Sequence, residues 1–333
     1  MNIDKFINKV FKIDNLNLLK SIPDNSIDLL YSDVLYGTNS NDIKDYDDKK
    51  FKSHKDVINF YKPRFIEIKR IMKETGSIYI HCDWHYSHYL KVLMDSIFGI
   101  ENFKNDIIRQ CTNAKNNSKN WGRIYDNILY YTMGSNYTWN YIMEQKTEAE
   151  LVKQFNKKTD DGRYYTTVPL HAKGESNGIT GNHWEHPTRG LINLPKGRHW
   201  ATTPDKLLEL DNSGGISWSK NNVPRRIQYA DEYDSKYIQN IWDLKSIGTR
   251  KSYISKGGII YDTQKPFDLL KRIILQSSNE GDVVLDLFCG SGVTCEVSKE
   301  YNRKYIACDI TDKAMEICES KGLNVFYNFD MNL

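Results

Sequence analysis

Two short segments carry the residue types from which an active site can be built. The first is Asp33-Val34-Leu35-Tyr36-Gly37-Thr38, and the second is Asp286-Leu287-Phe288-Cys289-Gly290-Ser291-Gly292. Each begins where an apolar run ends, at 27–31 and at 283–287, and such runs form buried parallel strands. Loops leaving the carboxyl ends of these strands are where open α/β sheets bind ligands. The segments therefore predict an acidic-aromatic loop and a glycine-rich loop on one edge of one sheet.

The glycine-rich segment has the features of a nucleoside-binding loop. Gly290 and Gly292 let the backbone approach a ligand closely where a strand passes into a helix. Asp309 follows about 20 residues later, where an acidic side chain commonly accepts ribose hydroxyls. No third glycine completes a dinucleotide fingerprint, so a cofactor without a pyrophosphate fits better than NAD. A plain strand-to-helix turn is the alternative, and Asp286 together with Asp309 favours the cofactor.

The acidic-aromatic segment suits chemistry on an exocyclic amine of a nucleobase. Such an amine is a poor nucleophile because its lone pair is delocalised into the ring. The Asp33 carboxylate and the Val34 carbonyl could accept its two hydrogens and stabilise the charge that develops during attack. Tyr36 could stack on the base and hold it in line with an electrophilic methyl group. Taken alone, the segment could equally hold a capping aspartate and a core tyrosine.

Alternating strands and helices indicate a doubly wound α/β sheet with helices on both faces. The predicted strands are 27–31, 77–81, 107–112, 128–132, 283–287, 305–309 and 323–326. Residues from about 113 to 258 do not alternate, and are rich in Asn, Thr, Gly, Trp and Tyr with many turn signals. This middle region is predicted to be a separate, mostly non-helical insertion, although its strand segment 126–132 belongs to the sheet.

The composition is that of a globular intracellular protein. Of 333 residues, 39% are hydrophobic and 12% aromatic, and the formal net charge of +3 does not by itself indicate a nucleic-acid partner. The six cysteines form no Cys-x-x-Cys pair and no disulfide framework, which favours a reducing, cytoplasmic setting. Charged residues interrupt the N-terminal segment, so no signal peptide is expected, and no apolar stretch reaches the length of a membrane span.

The order of these segments resembles that of the β-class amino-methyltransferases of DNA, which make N6-methyladenine or N4-methylcytosine from S-adenosyl-L-methionine. Asp33-Val34-Leu35-Tyr36 resembles their catalytic Asp-Pro-Pro-Tyr motif. Thr263-Gln264-Lys265-Pro266 and the glycine-rich segment resemble the cofactor-binding motifs, and 76–81 and 126–131 resemble the two strand motifs between them. The resemblance covers nearly the whole chain.

The resemblance implies a circularly permuted, seven-stranded Rossmann-like methyltransferase sheet. Residues 1–112 would form its catalytic half, 113–258 the target-recognition region and 259–333 the cofactor-binding half. The implied cofactor is S-adenosyl-L-methionine, and the implied cofactor-binding residues are Asp33, Thr263, Gln264, Lys265, Asp286, Phe288, Gly290, Ser291, Gly292, Thr294, Asp309 and Ile310.

The acidic first residue of the catalytic motif resembles the adenine enzymes, since serine is usual in the cytosine-N4 forms. We therefore expect methyl transfer to adenine N6 by direct in-line displacement, with Asp33, Val34 and Tyr36 as the catalytic residues. Val34 and Leu35 replace the usual prolines, which fix the backbone, but the carbonyl acceptor remains. Cytosine-N4 methylation and a DNA-binding relative with a decayed catalytic motif are the alternatives.

A base inside a duplex must be flipped out to reach the cofactor, so the expected partner is double-stranded DNA. Basic residues cluster in the middle region, and those expected to contact DNA are Lys115, Lys119, Arg123, Arg189, Arg198, Arg225 and Arg226. Tyr130 and Tyr131 are candidates for packing against the flipped base, although strand tyrosines are more often core residues. The resemblance leaves a cognate restriction endonuclease and a homodimer open.

A cluster of potential metal ligands lies near the end of the second predicted strand: His81, Cys82, Asp83, His85 and His88. On a strand-to-helix crossing these side chains would point in different directions. No metal is expected, and Asp83 is interpreted as a helix cap.

Overall fold

The computed structural model describes residues 2–35, 51, 53–113, 119, 121–248 and 264–327. The chain divides into two units. The sheet unit comprises Met1–Ile142 and Gln239–Leu333, and the inserted unit comprises Met143–Ile238. Strands from both chain segments of the sheet unit share one sheet.

The sheet unit contains one nine-stranded sheet among its described residues. The strands are β1 Lys9–Lys12, β2 Ile27–Asp33, β3 Met72–Cys82, β4 Phe103–Gln110, β5 Tyr125–Thr132, β16 Ile241–Trp242, β17 Val283–Asp286, β18 Lys304–Asp309 and β19 Val325–Phe326. Their order is β16-β4-β5-β3-β2-β17-β18-β1-β19. Strand β5 lies between β3 and β4 and is antiparallel to both, and all the other pairs of this sheet are parallel.

Helices cover both faces of this sheet. They are α1 Asn15–Ser21, α2 His54–Ile71, α3 Ser87–Phe98, α6 Leu244–Ile247, α7 Phe267–Ser277, α8 Val293–Glu300 and α9 Asp312–Ser320. On one face, Leu30, Ile78 and Leu285 share a buried cluster with residues of α1, α2 and α3. On the other face, the Tyr79 and Ser277 hydroxyl oxygens lie 2.7 Å apart. The doubly wound α/β fold predicted from the sequence is therefore confirmed.

The prediction of seven strands was wrong, because the described sheet has nine. The two additional strands are Lys9–Lys12 and Ile241–Trp242. The first has only two apolar residues between lysines, and the second has only two residues. Neither is long enough to show periodicity, and both are strands only because a neighbouring strand supplies hydrogen-bonding partners.

The inserted unit is mostly β-structure. Its elements are β6 Met143–Gln145, α4 Glu148–Gln154, β7 Lys157–Lys158, β8 Tyr164–Pro169, β9 His171–Lys173, β10 Trp184–His186, β11 Gly190–Ile192, β12 Arg198–Trp200, α5 Pro204–Asn212, β13 Ile216–Trp218, β14 Pro224–Tyr229 and β15 Ser235–Tyr237. A four-stranded antiparallel sheet has the order β13-β14-β8-β7. The buried core of the inserted unit includes Leu170, Trp184, Trp200 and Leu207.

The inserted unit is narrower than the region 113–258 proposed from the sequence. At its start, the segment after β5 is tied to the sheet unit, since the Thr138 N–H donates to the Thr75 carbonyl at 3.2 Å and the Asn140 N–H to the Gln276 carbonyl at 2.7 Å. At its end, β16 pairs with β4. Hydrogen bonds that the sequence pattern does not reveal therefore set these boundaries. None of the described helices is long and apolar enough to cross a membrane.

Candidate active site at the carboxyl edge of the sheet

Three aspartates lie at the ends of three neighbouring parallel strands. Asp33 ends β2, Asp286 ends β17 and Asp309 ends β18. In the sheet register Asp286 is paired with Tyr31 on one side and with Ala307 on the other. The parallel arrangement therefore brings the three carboxyl groups to one edge of the sheet, as the sequence analysis expected.

A cleft at this edge encloses about 470 Å³ of empty space, part of it open solvent. Its lining residues are Tyr31, Asp33, Gln264, Lys265, Leu270, Asp286, Phe288, Cys289, Gly290, Ser291, Val293, Thr294 and Asp309. Nine of the twelve residues expected to bind the cofactor are among them. Of the other three, Thr263 lies outside the described residues. Gly292, which precedes helix α8, and Ile310, which is 65% exposed, are not among the lining residues.

Side-chain bonds from two aspartates shape the glycine-rich loop. Asp286 accepts from the Thr294 hydroxyl at 2.5 Å and from the Phe288 N–H at 3.1 Å. Asp309 accepts from the Gly290 N–H at 3.0 Å. Because Asp286 and Asp309 are buried, these bonds hold the loop against the strand ends.

Gly292 occupies a position that a side chain could enter only with strain. Its φ is +73°, and an added Cβ would lie 2.6 Å from Leu323 Cδ1 and 2.9 Å from Cys318 Sγ. Left-handed backbone costs about 1–2 kcal/mol for a residue with a Cβ. Forcing an extra carbon into a packed interior costs about 1–3 kcal/mol more. The turn that leads from the loop into α8 therefore requires glycine.

Gly292→Ala is expected to lower the free energy of unfolding by about 2–5 kcal/mol, the sum of both costs. Gly281 is a matched control, because its φ is +84° but nothing lies within 4 Å of an added Cβ. Gly281→Ala should therefore lower the free energy of unfolding only by the cost of the left-handed backbone, about 1–2 kcal/mol. Urea unfolding of both variants measures the difference, and equal losses would contradict the packing argument.

Burial raises the pKa of Asp286 to about 7, and the negative charges of Asp33 and Asp309 add to the rise. The hydrogen bonds from Thr294 and Phe288 oppose it. The cleft thus concentrates three acidic groups in a small volume. Lys265 in the same cleft offsets one of these charges through its ion pair with Asp33, and the negative charge that remains attracts a ligand that carries positive charge.

Gln264 offers an unused polar group to a ligand. It lines the cleft and is only 6% exposed. Neither its Nε2 nor its Oε1 has a hydrogen-bond partner among the described residues. Since a buried amide without partners costs free energy, a bound ligand with donors and acceptors would satisfy it.

The Asp33 carboxylate has a fixed environment. Its Oδ2 lies 2.6 Å from Lys265 Nζ in an ion pair. The following residue, Val34, is buried, and its N–H donates to the His81 carbonyl at 3.0 Å. Tyr36, the third residue expected to be catalytic, lies outside the described residues. Asp33 is thus the expected catalytic residue that the structure places on the cleft.

Leu35 is held by a second hydrogen bond. Its N–H donates to the Tyr61 hydroxyl oxygen at 3.0 Å. Tyr61 belongs to α2 and is 1% exposed. The sequence pattern does not reveal this role of Tyr61, because Tyr61 occupies an apolar position of a predicted helix, 26 residues away from Leu35.

A chain of buried polar side chains that the sequence pattern does not reveal lies near Asp33. The Tyr31 hydroxyl lies 2.8 Å from His81 Nδ1, and His81 Nε2 lies 3.3 Å from Asp126 Oδ2. Arg109 Nη1 donates to the same Asp126 oxygen at 2.8 Å. His81 Nδ1 lies 3.9 Å from Asp33 Oδ1, which is too far for a hydrogen bond.

The protonation states along this chain follow from burial and charge. Burial lowers the pKa of His81, and the Lys265 charge lowers it further. Burial disfavours the ionised form of Asp126, but the His81 hydrogen bond and the charges of Lys265 and Arg109 hold the pKa of Asp126 well below its usual range. Burial also raises the pKa of Tyr31 well above its ordinary value. A neutral His81 therefore donates from Nε2 to ionised Asp126 and accepts a hydrogen bond from the Tyr31 hydroxyl at Nδ1.

The two tyrosines expected to pack against a base are buried in the sheet unit and do not line the cleft. The Tyr130 ring stacks on Tyr79 with centroids 4.4 Å apart. The Tyr131 hydroxyl donates to Asp95 at 2.7 Å. Within the described ranges, no group of three or more His, Cys, Asp or Glu residues could hold a metal ion.

The residues expected to contact DNA are distributed over both units. Lys119 and Arg123 are exposed in the sheet unit, and Lys115 lies outside the described residues. In the inserted unit Arg189 and Arg226 are exposed, whereas Arg198 and Arg225 are partly buried. The Arg189 guanidinium lies 4.2 Å from the Trp218 ring centroid. Arg225 donates to the Thr167 side chain and carbonyl at 3.1 and 2.7 Å.

The family model for N6/N4 methyltransferases, described as DNA methylase, matches residues 27–320. The chain belongs to this DNA methylase family. It is 38% identical over 253 residues to the type II methyltransferase M.EcaI of Enterobacter cloacae, covering 76% of this chain and 54% of that protein. The chain thus spans about half the length of the first curated relatives that it matches.

Solved structures of DNA methylases share the fold of the chain. The PvuII cytosine-N4-specific DNA methyltransferase has a TM-score of 0.52 at 12% identity, with 99% of this chain and 93% of that chain covered. A DNA modification methylase of Thermus thermophilus, solved with S-adenosyl-L-methionine, has a TM-score of 0.51 at 14% identity, with 97% and 99% covered. At these identities the likeness shows the mostly parallel α/β fold.

Proposed function

We propose that the chain transfers a methyl group from S-adenosyl-L-methionine to the exocyclic N6 of an adenine flipped out of double-stranded DNA. The observation that carries the proposal is the position of Asp33. This residue lines the same cleft as the glycine-rich loop and Asp309. The residue expected to act on the nucleobase is therefore next to the residues expected to hold the cofactor.

The cleft residues fit S-adenosyl-L-methionine. The acidic groups Asp33, Asp286 and Asp309 favour a cationic sulfonium, and the unpartnered Gln264 amide can bond polar groups of the ligand. Asp309 accepts three bonds among the described residues, which leaves capacity for a ribose hydroxyl. When bound, the cofactor supplies an electrophilic methyl group.

The residues at the end of β2 would activate the amine. Asp33 and the Val34 carbonyl accept its two hydrogens, so that the nitrogen lone pair becomes available and the developing positive charge is stabilised. Lys265 holds Oδ2 of Asp33 and so keeps the carboxylate in one orientation. After transfer the nitrogen is cationic and acidic, and its proton leaves to Asp33 or to water. No strong base is needed before attack.

The inserted unit is proposed to recognise the DNA site, with the sheet unit contributing Lys119 and Arg123. Arg189 and Arg226 are exposed, and exposed guanidinium groups bind phosphates or guanine edges. Arg225 instead stabilises the β8–β14 pair through Thr167. A relative named type III restriction-modification enzyme StyLTI Mod subunit supports a role in restriction-modification, and a cognate endonuclease is the partner that we propose for such a role.

To test the proposal, the purified chain is incubated with genomic DNA and isotope-labelled S-adenosyl-L-methionine. The nucleosides of that DNA are then analysed by mass spectrometry. Labelled N6-methyladenine is the expected product, because the catalytic motif begins with aspartate. If labelled N4-methylcytosine is the only labelled product, the target base is cytosine and the adenine proposal is wrong. Binding of cofactor and DNA without any labelled base would identify a decayed relative. Sequencing of modified bases in the same DNA then gives the recognition site.

A further inference from the structure

The two residues after Asp33 are Val34 and Leu35, and the N–H groups of both are hydrogen-bonded. Val34 donates to the His81 carbonyl at 3.0 Å, which extends the β2–β3 ladder. Leu35 donates to the Tyr61 hydroxyl oxygen at 3.0 Å. A proline at either position would fix φ but would donate no hydrogen bond. In this chain, hydrogen bonds therefore restrain the backbone of Val34 and Leu35, where proline rings would restrain it in the usual motif.

The Leu35 hydrogen bond determines where the Val34 carbonyl points. The Val34 C=O and the Leu35 N–H belong to one planar peptide unit, and none of the described peptide bonds is cis. In a trans peptide the carbonyl points opposite to the N–H. Fixing the N–H on Tyr61 thus fixes the carbonyl on the side away from Tyr61. This carbonyl is the proposed second acceptor for the amino group of the substrate.

Tyr61 can hold this direction because its own ring is immobilised. The ring is 1% exposed and packs against Phe65 and Phe60, with centroids 5.7 and 5.0 Å away. On another side it meets Phe288 of the glycine-rich loop, with centroids 6.5 Å apart. Tyr61 therefore contacts both the turn after Asp33 and the loop that lines the cofactor cleft.

We propose that Tyr61 is a positioning residue for methyl transfer: its hydroxyl aims the Val34 carbonyl at the substrate amine, and its ring holds Val34 and Leu35 beside Phe288 of the glycine-rich loop. This inference rests on the proposed function, because it assumes that the Val34 carbonyl accepts from the amine. The restraint of Leu35 by Tyr61 does not depend on that assumption, because it follows from the Leu35–Tyr61 hydrogen bond and from the packing of the Tyr61 ring.

The experiment is a double-mutant cycle with Tyr61→Phe and Leu35→Pro, read by kcat. Tyr61→Phe removes only the acceptor hydroxyl, so it should lower kcat about 3- to 10-fold, the factor that corresponds to one hydrogen bond. In the Leu35→Pro background no N–H exists to be held, so adding Tyr61→Phe should change kcat by less than about 2-fold. An equal loss in both backgrounds, or no loss in the wild-type background, would overturn the proposal.

Two further measurements separate positioning from general stability. Tyr79→Phe is the matched control, since it removes the hydroxyl of another buried tyrosine, one that bonds Ser277. Its kcat should stay within about 2-fold of the wild type, because a distant hydrogen bond does not couple to the turn. If Leu35→Pro does not fold, the α-hydroxy analogue of leucine at position 35 removes the same N–H as an ester and completes the cycle.

Hydrogen exchange provides a readout that does not depend on activity. In Tyr61→Phe the Leu35 amide should exchange at least about 10-fold faster, whereas the Val34 amide keeps its protection through His81. Unchanged protection of Leu35 would overturn the inference even if the enzyme is active. If the wild type transfers no methyl group but Leu35 loses protection in the variant, the proposed function fails and the restraint by Tyr61 stands.

Discussion

Asp33→Ala is expected to lower kcat for methyl transfer about 100- to 1,000-fold, the usual cost of removing one preorganised group that stabilises developing charge. The carboxylate lines the cleft and is oriented by Lys265 at 2.6 Å. Without it, the amine loses the proposed acceptor that draws its hydrogen away from the ring plane. Binding of S-adenosyl-L-methionine and of DNA should largely persist, because Asp286, Asp309 and the glycine-rich loop still line the cleft and the inserted unit is unchanged. Labelled methyl transfer gives kcat, and calorimetry gives the cofactor affinity.

The same strand provides the control for this prediction. Asp28 lies near the opposite end of β2 and is also ion-paired, with Lys73 Nζ 2.8 Å from its carboxylate. Asp28→Ala removes a comparable ion pair together with the bond that Asp28 accepts from the Val283 N–H at 2.9 Å, but Asp28 does not line the cleft, so kcat should be retained. Wild-type kcat in Asp33→Ala would exclude Asp33 from the chemistry. Loss of cofactor binding in Asp33→Ala would instead mean that its main role is to hold the cleft.

The parts of the fold that the sequence predicted are those that local patterns encode. The apolar runs before Asp33, Asp286 and Asp309 mark parallel strands, and parallel strands place their carboxyl ends at one edge. The cleft lining therefore agrees with motif positions along the chain. Strand β1 and the two-residue β16 were missed, since their conformation depends on pairing with β18 and β4.

The parts of the site that the sequence could not predict depend on side chains from different strands. Arg109, Asp126 and His81 belong to β4, β5 and β3, and only the sheet register brings them together. In the sequence, His81 stood in a group that resembled metal ligands, whereas in the structure it bonds Asp126 and Tyr31. Tyr61 reaches Leu35 from a helix, and one apolar position of a helix does not reveal such a bond.

Asp309→Ala is expected to weaken binding of S-adenosyl-L-methionine by about 100-fold. Asp309 is buried and accepts from the Gly290 N–H at 3.0 Å and from the Thr311 N–H and hydroxyl at 3.0 and 2.9 Å. Alanine would leave the loop N–H without its acceptor and remove the proposed bond to a ribose hydroxyl. Hydrogen bonds to charged groups are worth about 1.5–3 kcal/mol, so loss of the ribose bond accounts for roughly 10- to 150-fold in Kd.

Calorimetric titration with S-adenosyl-L-methionine tests this expectation, and Asp312→Ala is its matched control. Asp312 begins α9 and is exposed beside Lys12, so its removal should leave Kd within about 2-fold of the wild-type value, as is usual for a surface ion pair. The Kd of Asp309→Asn should lie between those of Asp309→Ala and Asp312→Ala. The amide oxygen of asparagine can still accept from the Gly290 N–H, but its amide nitrogen cannot accept from Thr311. Wild-type affinity in Asp309→Ala would rule out its proposed role, because a ligand held by this loop must depend on the carboxylate that fixes the Gly290 N–H.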